Sequence, residues 1–417
     1  MLIDKKVNIL YITPYLPYPP VSGGRLQTFL RIKKLKERGH NIYLVAVAER
    51  GTDEEDVVEL RKNITELVVV FARFNPDKIR YLLKKSLPLE LFPCQDGLGE
   101  KITSFIRDRE IDIAVYDGIG SAQYVYATEG IPSIVYEHNV EYEIIDQFVS
   151  TLRKSPLKIL RGTPAEKLLY LWLYIFGERE RILAREFELN SLSRFDMVLT
   201  CSERDADILK RDVGDTPFVT VPWGIEMPDS YKTHEDKEVY NLVFIGSMCW
   251  EPNRDAILWF AKEVFPLIKR RIGKVRLIIA GSHPCKEVLA LNNKRDVIVK
   301  GFVPDISRLL LETDIFIAPV RLGSGVNVKI IEAMSYGLPV ITTSKGAEGI
   351  EAVNGEHFVI ANTPEEFLDR IQYLIENVGF RSSLGISGRN YVSEYHGIDK
   401  VTDLFGDALR EVIKIKS

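Results

Sequence analysis

Short runs rich in Val, Ile and Tyr, apolar at nearly every position, alternate along this chain with longer stretches whose apolar residues recur at helical spacing. Near-continuous apolar runs are what strands covered on both faces require, and their alternation with helical segments predicts βαβ units around parallel sheets. In the first half the predicted strands are Val7–Ile12, Asn41–Ala48, Glu66–Ala72, Asp112–Asp117, Ser133–Glu137 and Asp196–Cys201. The second half repeats the layout with Asn241–Ile245, Arg276–Ala280, Val297–Lys300, Asp314–Pro319, Val340–Thr343 and Phe358–Ala361. The fold class expected is therefore α/β, with two Rossmann-like doubly wound parallel-sheet domains. A cleft facing the C-terminal ends of their strands is the default ligand site of such sheets.

The Pro- and Gly-punctuated stretch Val221–Pro228, followed by a charged run to Glu238, reads as a linker over 223–238 that divides 1–222 from 239–396. With 417 residues, 46% hydrophobic and 27% charged, the composition is that of a globular protein and excludes a disordered or fibrous chain. Lys and Arg number 55 against 59 Asp and Glu, a net charge of -4 that argues against nucleic acid as a partner. Cys94, Cys201, Cys249 and Cys285 stand singly, signalling neither a zinc site nor a disulfide framework and fitting a reducing compartment. The N-terminus lacks the apolar core of a secretory signal, and the longest apolar run, Leu168–Phe176, falls short of the roughly 20 residues of a membrane span. A cytoplasmic protein is expected. Basic residues Arg153, Lys154, Lys158, Arg161 and Lys167 precede that run, so the segment could rest peripherally on an anionic membrane at its inner face or form a long helix packed on the first domain.

Chemistry is sought in the loops that follow strands. After the first strand, a long loop ends in Gly23-Gly24 at a helix start, where backbone can approach a ligand and free N–H groups can meet an anion or a sugar hydroxyl; a plain strand-to-helix turn is the other reading. The G-x-G-x-x-G and P-loop patterns are absent, which disfavours NAD or ATP and leaves no cofactor expected. His138, at a strand end beside Glu137, Asn139 and Glu141, could bind sugar hydroxyls or move a proton, or with Asn139 cap the next helix. Asp205-Ala206-Asp207 matches a metal-holding D-x-D, but Ser202 followed three residues later by Asp205 reads as a helix cap, so no metal is assigned.

The densest signal is Pro319–Pro339. A Gly323-Ser324-Gly325 loop leads into a helix predicted from about Val326 to Tyr336, the arrangement by which N–H donors and the helix dipole cradle phosphate. Arg321 and Lys329 add positive charge, and Glu332, three residues after Lys329 on the same helix face, can accept from ribose hydroxyls. Gly246 after the first strand of this half, with Arg254 beyond it, and Gly301-Phe302-Val303 at another strand end complete a plausible nucleoside diphosphate pocket.

Together these residues resemble the GT-B glycosyltransferases, in particular the retaining family 4, the glycosyl transferases group 1. Ile331–Val340 is similar to that family's E-A-x-x-x-G-x-P-V segment, which implies that Glu332 holds the ribose of a sugar nucleotide. By the same resemblance Val303 lies at the base-contacting strand end, Gly23 and Gly24 form the N-terminal glycine loop, and His138 contacts the transferred sugar. Residues 397–417 resemble the final helix that crosses back to the first domain, coupling the domains as the cleft closes. Two positions depart from the pattern. Ser324 stands where a second Glu is usual, and Ser247 and Pro252 replace an Arg and Lys pair, so the phosphate charge is expected from Arg254, Arg321 or Lys329.

The expected activity is metal-independent transfer of a hexose from a nucleotide diphosphate sugar to a sugar or lipid-linked acceptor, with retention, in cell-surface polysaccharide, lipopolysaccharide or glycolipid synthesis. The competing readings are a sugar-nucleotide epimerase or hydrolase of the same fold, and a non-catalytic sugar-nucleotide binder.

Overall fold

The computed structural model describes residues 6–20, 23–48, 54–71, 97–154 and 164–416. They divide into two compact units, one made of Met1–Pro222 with Val401–Ser417 and the other of Trp223–Lys400. The first holds seven parallel strands, β1 (Asn8–Thr13), β2 (Asn41–Ala48), β3 (Glu66–Phe71), β4 (Ile113–Asp117), β5 (Ser133–Glu137), β6 (Met197–Thr200) and β7 (Phe218–Thr220), in the order β3-β2-β1-β4-β5-β6-β7. The second holds six, β8 (Tyr240–Ile245), β9 (Val275–Ala280), β10 (Val297–Gly301), β11 (Ile315–Ala318), β12 (Val340–Thr342) and β13 (Val359–Ile360), in the order β10-β9-β8-β11-β12-β13. All twelve expected strands are present, Ala72 lying outside the described residues, and two doubly wound parallel sheets follow as the patterning required.

The central strands are buried on both faces, as in β4 and β5 where every residue is buried, because helices cover both sides of the sheet. Strand β7 is the one the pattern missed: three half-buried residues at the sheet edge, too short for a periodicity to register. The 223–238 stretch, charged enough to read as a linker, packs on the second unit. Trp223 and Ile225 are buried, the Ile225 N–H donates to the His396 carbonyl at 2.7 Å, and Lys232 and Lys237 both pair with the buried Asp314, at 3.2 and 2.8 Å.

The basic-then-aromatic segment forms a 29-residue helix, Pro164–Leu192. It packs on the helix Glu141–Lys154 through Gly177, where an added Cβ would stand 2.6 Å from the Val149 methyls, while Leu168, Leu171, Ile175 and Ile182 remain exposed. Lys158 and Arg161 lie outside the described residues. Among the described residues no helix is long and apolar enough to cross a membrane.

Candidate functional site

In each sheet the chain leaves in opposite directions from two adjacent central strands, β1 and β4 in the first unit and β8 and β11 in the second. The crevice beyond the C-terminal ends of such a strand pair is where open α/β sheets bind ligands. Nearly all the residues singled out from sequence lie at these two points.

In the second unit the loop after β11 carries Gly323 at φ 109° and Gly325 at φ 78°, backbone that disfavours any side chain. It leads into the helix Val328–Ser335, whose N-terminus Asn327 does not cap: its side chain instead donates to the Gly346 carbonyl at 2.9 Å. The Val328 and Ile330 N–H groups of its first turn bond to the Val326 and Asn327 carbonyls, at 3.1 and 2.9 Å. Lys329 sits one residue into this helix. Its half-buried ammonium stands over the Phe244 ring, 4.9 Å from the centroid, and donates to the Asn253 side-chain carbonyl. Among the described residues no carboxylate pairs with it, and burial lowers its pKa from the usual lysine value to about 7. Glu332, one turn on, is likewise desolvated and its carboxyl pKa is raised.

Asn253 was not legible as a site residue, yet it joins the two strand ends. Its amide N–H donates to the Ser247 carbonyl at 2.9 Å in the loop after β8, and its oxygen receives Lys329. Gly246 makes room for it, since a Cβ there would lie 2.8 Å from the Asn253 amide. Backbone bonds knit the neighbouring strand ends together: Gly246 N–H to Ala280 carbonyl at 3.1 Å, Met248 N–H to Ser282 carbonyl at 2.9 Å and Gly281 N–H to Gly301 carbonyl at 2.8 Å. Through these bonds Val303, just beyond β10, belongs to the same row of loops. The other two cations offered by the sequence are held by carboxylates. Arg254 Nε donates to Glu251 at 2.6 Å, and Arg321 donates to Asp255 at 3.1 and 2.8 Å while stacking 4.7 Å from the Trp259 ring centroid.

In the first unit Asp117, the last residue of β4, is fully buried and collects three donors. Tyr15 Oη and Thr28 Oγ1 each lie 2.7 Å from its Oδ2, and His138 Nε2 lies 3.0 Å from its Oδ1. Burial alone would raise the Asp117 pKa, but His138, Arg31 and the Thr28 hydroxyl hold it below the usual carboxylate range. Gly23 and Gly24 open the helix Gly23–Glu37, which also carries Thr28, and Thr28 Oγ1 lies 3.0 Å from the Gly24 carbonyl one turn back. His138 does not cap the next helix. That helix starts at Glu141, and Glu188 caps it, accepting the Glu141 and Tyr142 N–H groups at 3.0 Å each. Ser202 does cap the helix Glu203–Val213, accepting the Asp205 N–H at 3.2 Å, so the D-x-D sequence is a first helical turn.

Comparison with known proteins adds to this geometry. Residues 239–377, which contain the glycine loop, Lys329 and Glu332, match the family model of the Glycosyl transferases group 1. The sucrose-phosphate synthase of Thermosynechococcus elongatus has a similar structure, with a TM-score of 0.72 at 14% identity over 98% of this chain and 100% of that one. So does HepE of Anabaena in complex with UDP, with a TM-score of 0.66 at 14% identity over 97% of this chain and 100% of that one; HepE is also known in complex with UDP-glucose. The fold is GT-B. In sequence, a Klebsiella pneumoniae protein described as an uncharacterized 44.6 kDa protein in cps region is 23% identical, over 94% of this chain and 97% of its own length.

Proposed function

We propose that this chain is a retaining glycosyltransferase that moves a hexose from a nucleotide diphosphate sugar to an acceptor hydroxyl in the synthesis of a cell-surface polysaccharide. The observation that carries the reading is Lys329, a desolvated ammonium with which no carboxylate pairs among the described residues, set beside a positive-φ glycine loop at a helix start without a side-chain cap. A diphosphate supplies the charge this arrangement lacks. Support for the nucleotide being UDP comes from the HepE complexes, and support for polysaccharide from the cps region of the Klebsiella relative.

On this reading Glu332 accepts from the ribose hydroxyls, and the N–H groups at Ser324 and Gly325 join Lys329 in stabilising the charge that grows on the departing diphosphate. The leaving phosphate takes the acceptor proton, and no metal is assigned a part. Val303 lies along the base. The first unit, with Gly23, Gly24 and His138, takes the sugar hydroxyls. Arg254 and Arg321 are assigned to holding the helix Glu251–Trp259 that presents Asn253. The exposed row Leu168, Leu171, Ile175 and Ile182, which follows the basic Lys167 on the same helix, is assigned to an anionic bilayer that carries a lipid-linked acceptor.

The test is release of nucleotide diphosphate from a panel of UDP, GDP and ADP sugars, UDP-glucose first. Lys329→Ala and Glu332→Ala are each expected to lower turnover about a hundredfold or more. Unchanged turnover in both variants overturns the site assignment, and release that needs no acceptor points to a hydrolase or epimerase. Co-sedimentation with vesicles that depends on anionic lipid and is lost in Ile175→Asp supports the bilayer assignment; equal behaviour of the two proteins removes it.

A further inference from the structure

We propose that Asp117 is the positioning residue of the first unit's site: its carboxylate fixes the proton of His138 on Nε2 and pins the glycine-led helix start to the same point. The argument starts from what a carboxylate can do. An ionised Asp only accepts, so each polar atom bonded to it must be a donor. His138 Nε2 at 3.0 Å therefore carries hydrogen, and in the neutral ring the lone pair is left on Nδ1. A ring held in this way offers Nδ1 as acceptor to a hydroxyl, and a sugar is made of hydroxyls.

The other carboxylate oxygen holds the opposite wall. Tyr15 Oη, 2.7 Å away, belongs to the loop after β1. Thr28 Oγ1, also 2.7 Å away, has one proton to divide between Asp117 and the Gly24 carbonyl. Tyr15 and Gly24 are themselves in close approach, since a Cβ on Gly24 would lie 3.2 Å from the Tyr15 hydroxyl. Arg31 balances the charge. Its Nη1 is 4.0 Å from Asp117 Oδ1, and its guanidinium stacks 3.7 Å from the Tyr136 ring centroid and 4.8 Å from that of Phe405. One fully buried carboxylate thus joins two site elements, the helix start at Gly23–Gly24 and His138, that the sequence separates by more than a hundred residues.

Replacement by Asn divides these duties. The amide can turn its oxygen to His138 and set an NH2 against the Tyr15 and Thr28 hydroxyls, or turn its NH2 to His138 and force the ring proton to Nδ1. The sugar hydroxyl rests on the function proposed above; the tautomer does not. The experiment is long-range proton–nitrogen correlation NMR at pH 8 on the full chain with 15N-labelled histidine, the His138 signals being assigned by their loss in His138→Gln. Wild type is expected to show the Nε2–H tautomer, and Asp117→Asn a mixed or reversed one. The same variant is expected to lower kcat for nucleotide release roughly tenfold to a hundredfold with donor KM unchanged, because the nucleotide is held in the second unit. An Nδ1–H tautomer in wild type overturns the proposal, even where Asp117→Asn fails to fold. So does a folded Asp117→Asn with unaltered tautomer and kcat. Failure of wild type to release nucleotide from any donor overturns the transferase reading instead and leaves the tautomer to decide the role of Asp117.

Discussion

Lys329 places a largely desolvated ammonium where no carboxylate pairs with it among the described residues, which is why its pKa is lowered to about 7. A group whose folded pKa is depressed below the unfolded value of about 10.5 costs stability in full below pH 7, and the cost shrinks as pH rises toward the unfolded value. Lys329→Met keeps the length of the chain and removes the charge. The variant is expected to melt several degrees above wild type at pH 7, with a smaller gain at pH 9. It is also expected to lose UDP affinity. Calorimetry at pH 8 in buffers of different ionisation heat should show proton uptake on UDP binding by wild type and much less by the variant; equal uptake would mean that another group carries the titration. Lys329, Glu332 and Gly323–Gly325 could be singled out as candidates because they lie within ten residues of one another in a loop-to-helix pattern. Asn253 and Asp117 could not. An Asn in a helix and an Asp ending a strand are common, and their roles arise only from partners far along the chain, Lys329 for the one and Tyr15, Thr28 and His138 for the other.

Strands were easier to read than the contacts among them. A parallel sheet covered on both faces leaves a continuous apolar run, and every expected run of that kind is a strand here; β7, short and half-buried, leaves none. Arg254 and Arg321 show the opposite case. Their charge was visible, but the carboxylates that hold them both lie on the helix Glu251–Trp259, Glu251 one turn before Arg254 and Asp255 across from the loop that carries Arg321. Close backbone approach was equally hidden. Gly281, after β9, lies so near Gly246 that an added Cβ would stand 1.8 Å from the Gly246 carbonyl oxygen. Gly273 also has a positive φ, 74°, with nothing within 4 Å of the Cβ position. Gly273→Ala therefore reports the backbone penalty alone, on the order of 1 kcal/mol. Gly281→Ala adds a collision with main chain in the row of loops that carries Gly246. It is expected to lower the melting temperature by clearly more than Gly273→Ala and to weaken UDP binding, which Gly273→Ala leaves intact. Equal shifts in the two variants would show that the loop yields at little cost.

At the scale of the whole molecule, the buried ionisable groups make the two units respond to pH with opposite sign. In the first unit burial and mutual repulsion push the Glu188 carboxyl up to about 8, and Glu137 and Glu141 are also raised. A carboxyl whose folded pKa lies above its unfolded value of about 4.5 stabilises the fold at low pH and loses that contribution as pH rises through the folded pKa. In the second unit burial lowers His396 to about 4 and Lys329 to about 7, two large shifts set against a lesser rise of the Glu332 carboxyl, which acts in the first unit's direction. Here the unfolded chain binds the extra protons, so stability is gained with pH, from about 4 to 6.5 through His396 and above about 7 through Lys329. Between pH 5 and 8 the first unit should lose stability while the second gains it. Phe405, Leu409 and Val412, buried in the segment that returns to the first unit, should follow the first unit although they stand at the C-terminal end of the chain. Hydrogen exchange read by mass spectrometry, corrected for the intrinsic pH dependence of exchange, tests this peptide by peptide. Protection in β4, β5 and 401–416 is expected to fall over that range while protection in β8, β11 and β12 rises. Parallel change in both sets would mean that net charge, and not these buried groups, governs stability. Opposite change that is abolished in the second unit by Lys329→Met above pH 7, and persists in the first, would trace the effect to the named side chains.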